Sequence, residues 1–305
     1  MSEHVSVLLD ASLTALAIQP DGVYLDATFG RGGHSQGILS QLGQEGKLYA
    51  VDRDPAAIKT ATKITDTRFC FASGNFSEFM TLFPGLGKNS LDGVLLDLGV
   101  SSPQLDEASR GFSFTRDGEL DMRMNPETGI TAKEFVNNAT YGDLANVIAC
   151  MGEERFAKQI AKKIIKARTS SLIATTTQLA EIVKSAIPVR FHTPGRHPAT
   201  RTFQAIRIYV NRELEELEAV LHQAYLALKK GGRLVVIAFH SLEDKAVKQF
   251  VKSLAGNELP PEIPVFSSAE FNKVRLIGRP VRPSEAEIAQ NPRARSSIMR
   301  VIEKL

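Results

Sequence analysis

Val23-Tyr-Leu-Asp26-Ala-Thr-Phe-Gly30-Arg-Gly32-Gly33-His34 is the stretch that decides the fold. A short β-type run ends on an acid, three glycines follow within four residues, and a helical pattern opens behind them. Such a loop lets backbone N–H groups approach a ligand closely at a helix N-terminus. A dinucleotide loop of the G-x-G-x-x-G kind would place a third glycine where this chain has Ser35. The Asp26 carboxylate would also repel a pyrophosphate, whereas it attracts a ligand bearing an ammonium and a sulfonium. S-adenosylmethionine is such a ligand.

Outward from this stretch the pattern repeats. Apolar runs at 23–27, 48–51, 69–72 and 91–98 read as strands and 56–64 as a helix, the βαβ rhythm of a parallel sheet. Each strand ends on a candidate ligand group. Asp52, nineteen residues past Gly33, can accept hydrogen bonds from both hydroxyls of a ribose. Phe76 after the third strand can cover an adenine, and Asp97 closes the fourth.

Past Pro103 the chain turns to a Gly-, Ser- and Asp-rich loop and then to helical patterns, with no strand signal through Thr177. Leu214, Leu217, Leu221 and Leu228 mark a helix expected to end at Gly231-Gly232, before a strong strand at 233–239. Runs at 274–277 and 297–302 suggest an antiparallel pair at the sheet edge. Pro260, Pro261 and Pro264 mark an extended linker. The expected architecture is therefore α/β: residues 1–104 and 209–305 form one sheet, interrupted by a mainly helical insertion, 105–208, that binds substrate.

Charge is distributed unevenly. Between Glu153 and Arg212 there are twelve Lys/Arg against three acids, a local +9 in a chain of net charge +3. Such a block suits a polyanion better than a small neutral substrate. Lys158, Lys162 and Lys166 recur at four-residue spacing on a helix expected over 153–168, beside an apolar stripe of Phe156, Ile160 and Ile164. Arg190, Arg196, Arg201, Arg207 and Arg212, with His192 and His197, extend the charge without an acid among them. Lys158, Lys162, Lys166, Arg196, Arg201 and Arg207 are the expected contacts to an RNA backbone; the alternative is a solvated helix face. Cys70 and Cys150 lack metal-type spacing and read as buried apolar fillers, and no metal is expected. With no bilayer-length apolar run and no signal-type start, a cytoplasmic location is expected.

Asp97-Leu-Gly-Val-Ser-Ser102-Pro103-Gln104 lies where methyltransferases acting on exocyclic amines place an acid- or amide-Pro-Pro-aromatic loop. Acceptors aimed at the amine N–H protons help the nitrogen rehybridise as it attacks a methyl group in line. Asp97, the Ser102 hydroxyl and loop carbonyls are the candidates. Gln104 stands in place of the aromatic that would stack on the base, leaving Phe112, Phe114 or Phe239 for that task or for core packing. A base in paired RNA would have to be extruded. His240, in His240-Ser-Leu-Glu-Asp244 after the 233–239 strand, is a candidate for substrate binding or proton transfer. Ser241, Glu243 and Asp244 read equally as helix caps. His4 and His34 are open, with His34 favoured by its place in the glycine loop.

These residues resemble the ribosomal RNA small subunit methyltransferase H family, also called MraW, over nearly the whole chain. The resemblance rests on His4-Val-Ser-Val-Leu-Leu9, Thr28-Phe-Gly-Arg-Gly-Gly-His-Ser35, Leu95-Leu-Asp-Leu-Gly-Val-Ser-Ser-Pro-Gln104 and Gly111-Phe-Ser-Phe114. It extends through Leu120-Asp-Met-Arg-Met124, Gly152-Glu-Glu-Arg155, His197-Pro-Ala-Thr-Arg-Thr-Phe-Gln-Ala205, Phe239-His-Ser-Leu-Glu-Asp244 and Asn291-Pro-Arg-Ala-Arg-Ser296. It is weakest over 259–272. It implies a Rossmann-like class I methyltransferase sheet and N4-methylation of one cytidine in small-subunit (16S) ribosomal RNA, in the decoding centre near the P site. It implies cofactor contacts at Gly32, Gly33, His34, Asp52, Phe76, Asp97 and Gln104, the last of which the residue pattern alone reads only as a missing aromatic. The implied partner is this RNA or the small ribosomal subunit, with a homodimer left open.

Transfer is expected to be direct, because no cysteine lies near a strand-end motif that faces the expected cleft to form a thiol adduct on the pyrimidine. Two other readings stand beside this one. A non-catalytic RNA-binding or assembly factor would not need Asp26, Asp52 and Asp97 together. A dinucleotide-dependent oxidoreductase is disfavoured by Asp26 and by the absent third glycine.

Overall fold

The computed structural model describes residues 6–254 and 273–305. His4 and the 259–272 linker lie outside the described residues. Two compact units emerge, Met1–Gly99 with Leu214–Leu305, and Val100–Glu213. Their boundaries sit near the expected 104/105 and 208/209 divisions.

The first unit holds one seven-stranded sheet in the order β3-β2-β1-β4-β5-β7-β6. Its strands are β1 (Val23–Asp26), β2 (Lys47–Asp52), β3 (Phe69–Ser73), β4 (Leu91–Asp97), β5 (Leu228–Ala238), β6 (Val274–Leu276) and β7 (Ile298–Lys304). β1 to β5 pair in parallel, and β7 is antiparallel to both β5 and β6. The edge pair is thus as the sequence suggests. Leu25, Leu48, Val94, Leu95, Leu96 and Val235 are fully buried, as expected for a parallel sheet covered on both faces.

Its helices are α1 (Leu9–Leu16), α2 (Gly33–Gln41), α3 (Pro55–Ala61), α4 (Phe79–Leu82), α11 (Glu213–Ala227), α12 (Ser241–Leu254) and α13 (Glu285–Gln290), Glu213 itself being counted with the second unit. α3 is shorter than its expected span and begins where Asp54 accepts a hydrogen bond from Ala56 N at 2.8 Å. One expectation fails here. The leucine helix ends at Ala227, and Gly231-Gly232 lies inside β5. Leu228 already pairs with Leu91, and the ladder shifts register between Leu91 and Gly93. The glycines, with Gly231 at φ +80°, absorb that irregularity where a helix stop was expected.

The second unit is helical: α5 (Ser102–Asp106), α6 (Ala132–Asn138), α7 (Tyr141–Gly152), α8 (Ala157–Arg168), α9 (Thr176–Ala186) and α10 (Thr200–Asn211). Among the described residues its only strand-like pairing is the single bridge Glu119–Thr175. Thr131, Thr140 and Thr175 each head a helix through a reciprocal capping box. The core is closed by Leu144, Ile148, Ile160, Ile164, Leu179 and Ile206, all fully buried. The lysine-bearing helix starts at Ala157, four residues later than expected, because Glu153 takes a left-handed conformation (φ 48°) that ends α7.

Both cysteines are exposed, which corrects the reading of them as buried fillers. Cys70 lies on β3, the edge strand of the sheet. Cys150 lies off the Leu144–Val147–Ile148 stripe that α7 buries. Among the described residues no helix is long and apolar enough to cross a membrane.

Candidate functional site

Parallel pairing puts the last residues of β1, β2 and β4 at one edge of the sheet, beside the strand-order switch where open α/β sheets hold ligands. All three ends are acids. Asp26 is fully buried; its carboxylate accepts from Ser35 Oγ at 2.6 Å and from Thr28 N at 3.2 Å. Asp52 accepts from Gly30 N at 2.7 Å and Asp54 N at 2.9 Å. These bonds use one lone pair on each Asp52 oxygen and leave one on each for a further donor. Asp97 is fixed by its own N–H, which donates to Thr28 Oγ1 at 2.6 Å.

Asp97 Oδ1 is shielded from solvent and has no hydrogen-bond partner among the described residues. A buried carboxylate oxygen left without a donor is costly, so the position is suited to a donor or cation supplied by a ligand. Asp97 Oδ2 lies 3.6 Å from His34 Nδ1. His34 Nε2 is 3.1 Å from the Val7 carbonyl, an oxygen that only accepts, so Nε2 carries a hydrogen.

Burial raises all three carboxyls from their ordinary range to about 6. Asp26 adds repulsion at Asp52 and Asp97, Asp54 adds to it at Asp52 and Glu243 at Asp97, while His34 partly offsets the shift at Asp97. Three clustered acids held against their preference suit a cationic ligand.

The glycine loop has the predicted form. Gly30 and Gly32 have φ of +54° and +76°, and a Cβ on Gly32 would lie 2.8 Å from the Phe29 ring. A Cβ on Gly33 would fall 2.1 Å from Ser6 Oγ. Phe76 opens a one-turn 3-10 helix after β3 and is partly buried against the sheet core.

After β5, Phe239 packs 3.4 Å from where a Gly99 Cβ would stand, at the carboxyl ends of β5 and β4. His240 Nδ1 accepts weakly from Glu243 N at 3.4 Å. Its Nε2 is buried, 3.1 Å from Glu243 Oε1 but out of hydrogen-bond alignment. Glu243 Oε2 accepts from Phe239 N and His240 N, the expected capping role, whereas Asp244 is bound by Arg300 and Lys248.

In the second unit Gln104 is buried and its Oε1 accepts from Ser101 N at 2.9 Å. Ser102 falls in α5, but its side chain lies outside the described residues. Phe112 is buried, with Arg110 5.7 Å from its centroid, and Phe114 packs between His197 and Phe203. Lys158, Lys162 and Lys166 are exposed along α8. Arg196 is exposed too, and desolvation and the like charge of Arg201 lower its pKa. Arg201 donates to the Glu153 carbonyl. Arg207 is held bidentately by Glu213 at 2.8 Å, so its guanidinium is engaged within the unit.

The sequence reading missed three supports of the site: Thr28, Ser35 and the Val7 carbonyl. Ser35 carried a signal, since it fills the third-glycine position and its hydroxyl bonds Asp26 there. The other two depend on long-range closure that no local pattern encodes.

The profile of the MraW methylase family matches residues 1–305. A protein of Azoarcus sp. named ribosomal RNA small subunit methyltransferase H is 53% identical over 305 residues, covering 99% of this chain and 97% of that protein. Proteins of the same name from Nitrosomonas europaea and Thiobacillus denitrificans are 53% and 51% identical, each covering 99% of this chain and 97% of its own length.

Proposed function

The chain belongs to the MraW methylase family, and on that footing we propose that it is an S-adenosylmethionine-dependent ribosomal RNA methyltransferase that methylates the exocyclic N4 of one cytidine in the small-subunit RNA. Decoding-centre placement near the P site comes with the same proposal. The observation that carries it is Asp97: an ionisable oxygen, buried and without a donor among the described residues, beside two further acids at adjacent strand ends.

The residues present fit the cofactor. Asp52 keeps acceptor capacity for two ribose hydroxyls, Phe76 offers an apolar surface to an adenine, and Gly32 with Gly33 and His34 at the start of α2 form the surface against which the rest would lie. Gln104 is added to this set by the family resemblance. Bound there, S-adenosylmethionine supplies an electrophilic methyl group on a cationic sulfur.

The chain's own task is to orient an amine and receive its proton. The amine nitrogen must rehybridise as it attacks, and a carboxylate oxygen aimed at one N–H favours that change. Asp97 Oδ1 serves as this acceptor, with His34 Nδ1 3.6 Å from the other oxygen. His240 Nε2–H is a donor, and its task is to orient the base rather than to accept the proton. Phe239, beside Gly99, is the aromatic suited to pack on the base. The helical unit holds RNA through Lys158, Lys162, Lys166 and Arg196; Arg201 and Arg207 support that surface from within.

Asp97→Asn tests the assignment, with label transfer to small subunits measured beside cofactor affinity by calorimetry. We expect cofactor binding to weaken but persist while the rate of transfer at saturating cofactor falls by roughly 100-fold or more. Transfer at the wild-type rate would remove Asp97 from the chemistry.

A further inference from the structure

The turn Val189–Phe191 carries the most exposed large apolar residue in the second unit, Val189, at 80%, next to Phe191 at 39%. Arg155, just before α8, lays its guanidinium 4.0 Å from the Phe191 ring centroid and 4.7 Å from that of Phe156. Arg190 contributes a second guanidinium 4.9 Å from the Phe191 ring. Phe156 backs the stack, its centroid 5.2 Å from that of Phe191.

The turn is held in place. Phe191 N donates to the Pro188 carbonyl, His192 N to the Val189 carbonyl, and the His192 ring bonds the carbonyl of buried Ile187. An aromatic on a pinned turn, with two exposed guanidinium groups 4.0 and 4.9 Å from its ring centroid, offers flat π and guanidinium surface to solvent.

Its charge points the same way. Several other cations of this unit are paired with acids: Arg123 with Asp121, Lys184 with Glu181, Arg207 with Glu213. Among the described residues Arg155, Arg190 and Arg196 make no side-chain hydrogen bond or ion pair, nor do Lys158, Lys162 and Lys166 on α8. Unpaired guanidinium groups against an aromatic ring, in a unit that also carries unpaired lysines, match a single-stranded nucleic acid, whose bases lie on flat π or guanidinium surfaces while its phosphates meet cations. An acidic peptide would use the charge but leave the flat surface idle.

Resting on the reading of this chain as a ribosomal RNA methyltransferase, we propose that Phe191 with Arg155 and Arg190 is a stacking platform for an unpaired base of the RNA substrate, separate from the base that receives the methyl group. The platform adds affinity and sets the position of the strand. It takes no part in the transfer.

The test uses the full chain with Phe191→Leu, Phe191→Tyr and Arg155→Lys. Leu keeps apolar volume but not the ring, and Lys keeps charge but not the plane. The probe is a labelled single-stranded RNA of mixed sequence, with thermal melting and S-adenosylmethionine calorimetry as controls. Phe191→Leu and Arg155→Lys should each weaken RNA binding by roughly tenfold, with little change in its salt dependence, and raise KM for small subunits with kcat unchanged. Phe191→Tyr should bind as wild type. Wild-type RNA affinity in the Leu and Lys variants would overturn the platform. Variants that bind naked RNA normally yet lose subunits would assign the surface to a protein partner and also overturn it. If the wild-type chain neither bound RNA nor labelled subunits, the methyltransferase reading itself would fail, a result distinct from either.

Discussion

Asp26, Asp52 and Asp97 are each shifted upward to about 6 by burial. A carboxyl with a raised folded pKa contributes stability that is full below its unfolded value and is lost as the pH rises through its folded one. Without ligand, these groups should therefore make the protein lose stability between about pH 4 and 7. A cationic cofactor favours their ionised forms, so its binding near pH 6 should expel protons and its affinity should fall as the pH drops below 6. Calorimetry in buffers of different ionisation enthalpy reads this directly, and proton-neutral binding would show that the acids do not face the cofactor. Asp52→Ala should weaken cofactor binding by tenfold or more, about the worth of hydrogen bonds to a charged group; unchanged calorimetric affinity would refute its role. The acids were legible in the sequence because each ends a strand, and strand ends follow from local pattern. The His34–Asp97 contact was not, since it joins the first turn of α2 to a strand end that only the β1–β4 pairing brings near.

The glycine loop and the helix caps decide local order. Gly32→Ala should cost about 1–3 kcal/mol, because the residue sits at φ +76° and its Cβ would press on the buried Phe29 ring. A thermal melt within one degree of wild type would contradict that. Thr140→Ala, which opens the capping box of α7, should cost about 1 kcal/mol, read from the shift of the denaturation midpoint. Most strands were legible because apolar runs bounded by turns mark a parallel sheet. The start of β5 was not. Gly231-Gly232 is a common helix stop, and only the Leu91–Leu228 pairing reveals that the chain is already extended before it. The cysteines were misread for a related reason: composition says that cysteine is often buried, but an edge strand and the outer face of α7 are set by tertiary placement.

Across the molecule, the sequence separates an α/β part from a basic helical part, and the structure forms a compact unit from each. The full strand order was not legible: the antiparallel edge pair was, but no local pattern says that β7 rather than β6 is the strand that joins β5. The basic block was legible as charge, but its sorting into paired and unpaired cations required side-chain geometry. Reversing Lys158, Lys162 and Lys166 to Glu should weaken RNA binding and lower the slope of its salt dependence by about 3, with cofactor affinity intact. Unchanged RNA affinity at low salt would show that the row is only a solvated face. The central claim is tested most directly by incubating the protein with labelled S-adenosylmethionine and purified small subunits, digesting the RNA and identifying the labelled nucleoside. The account predicts N4-methylcytidine at one site; label on any other atom, or none on subunits and naked RNA while the cofactor binds, would contradict it.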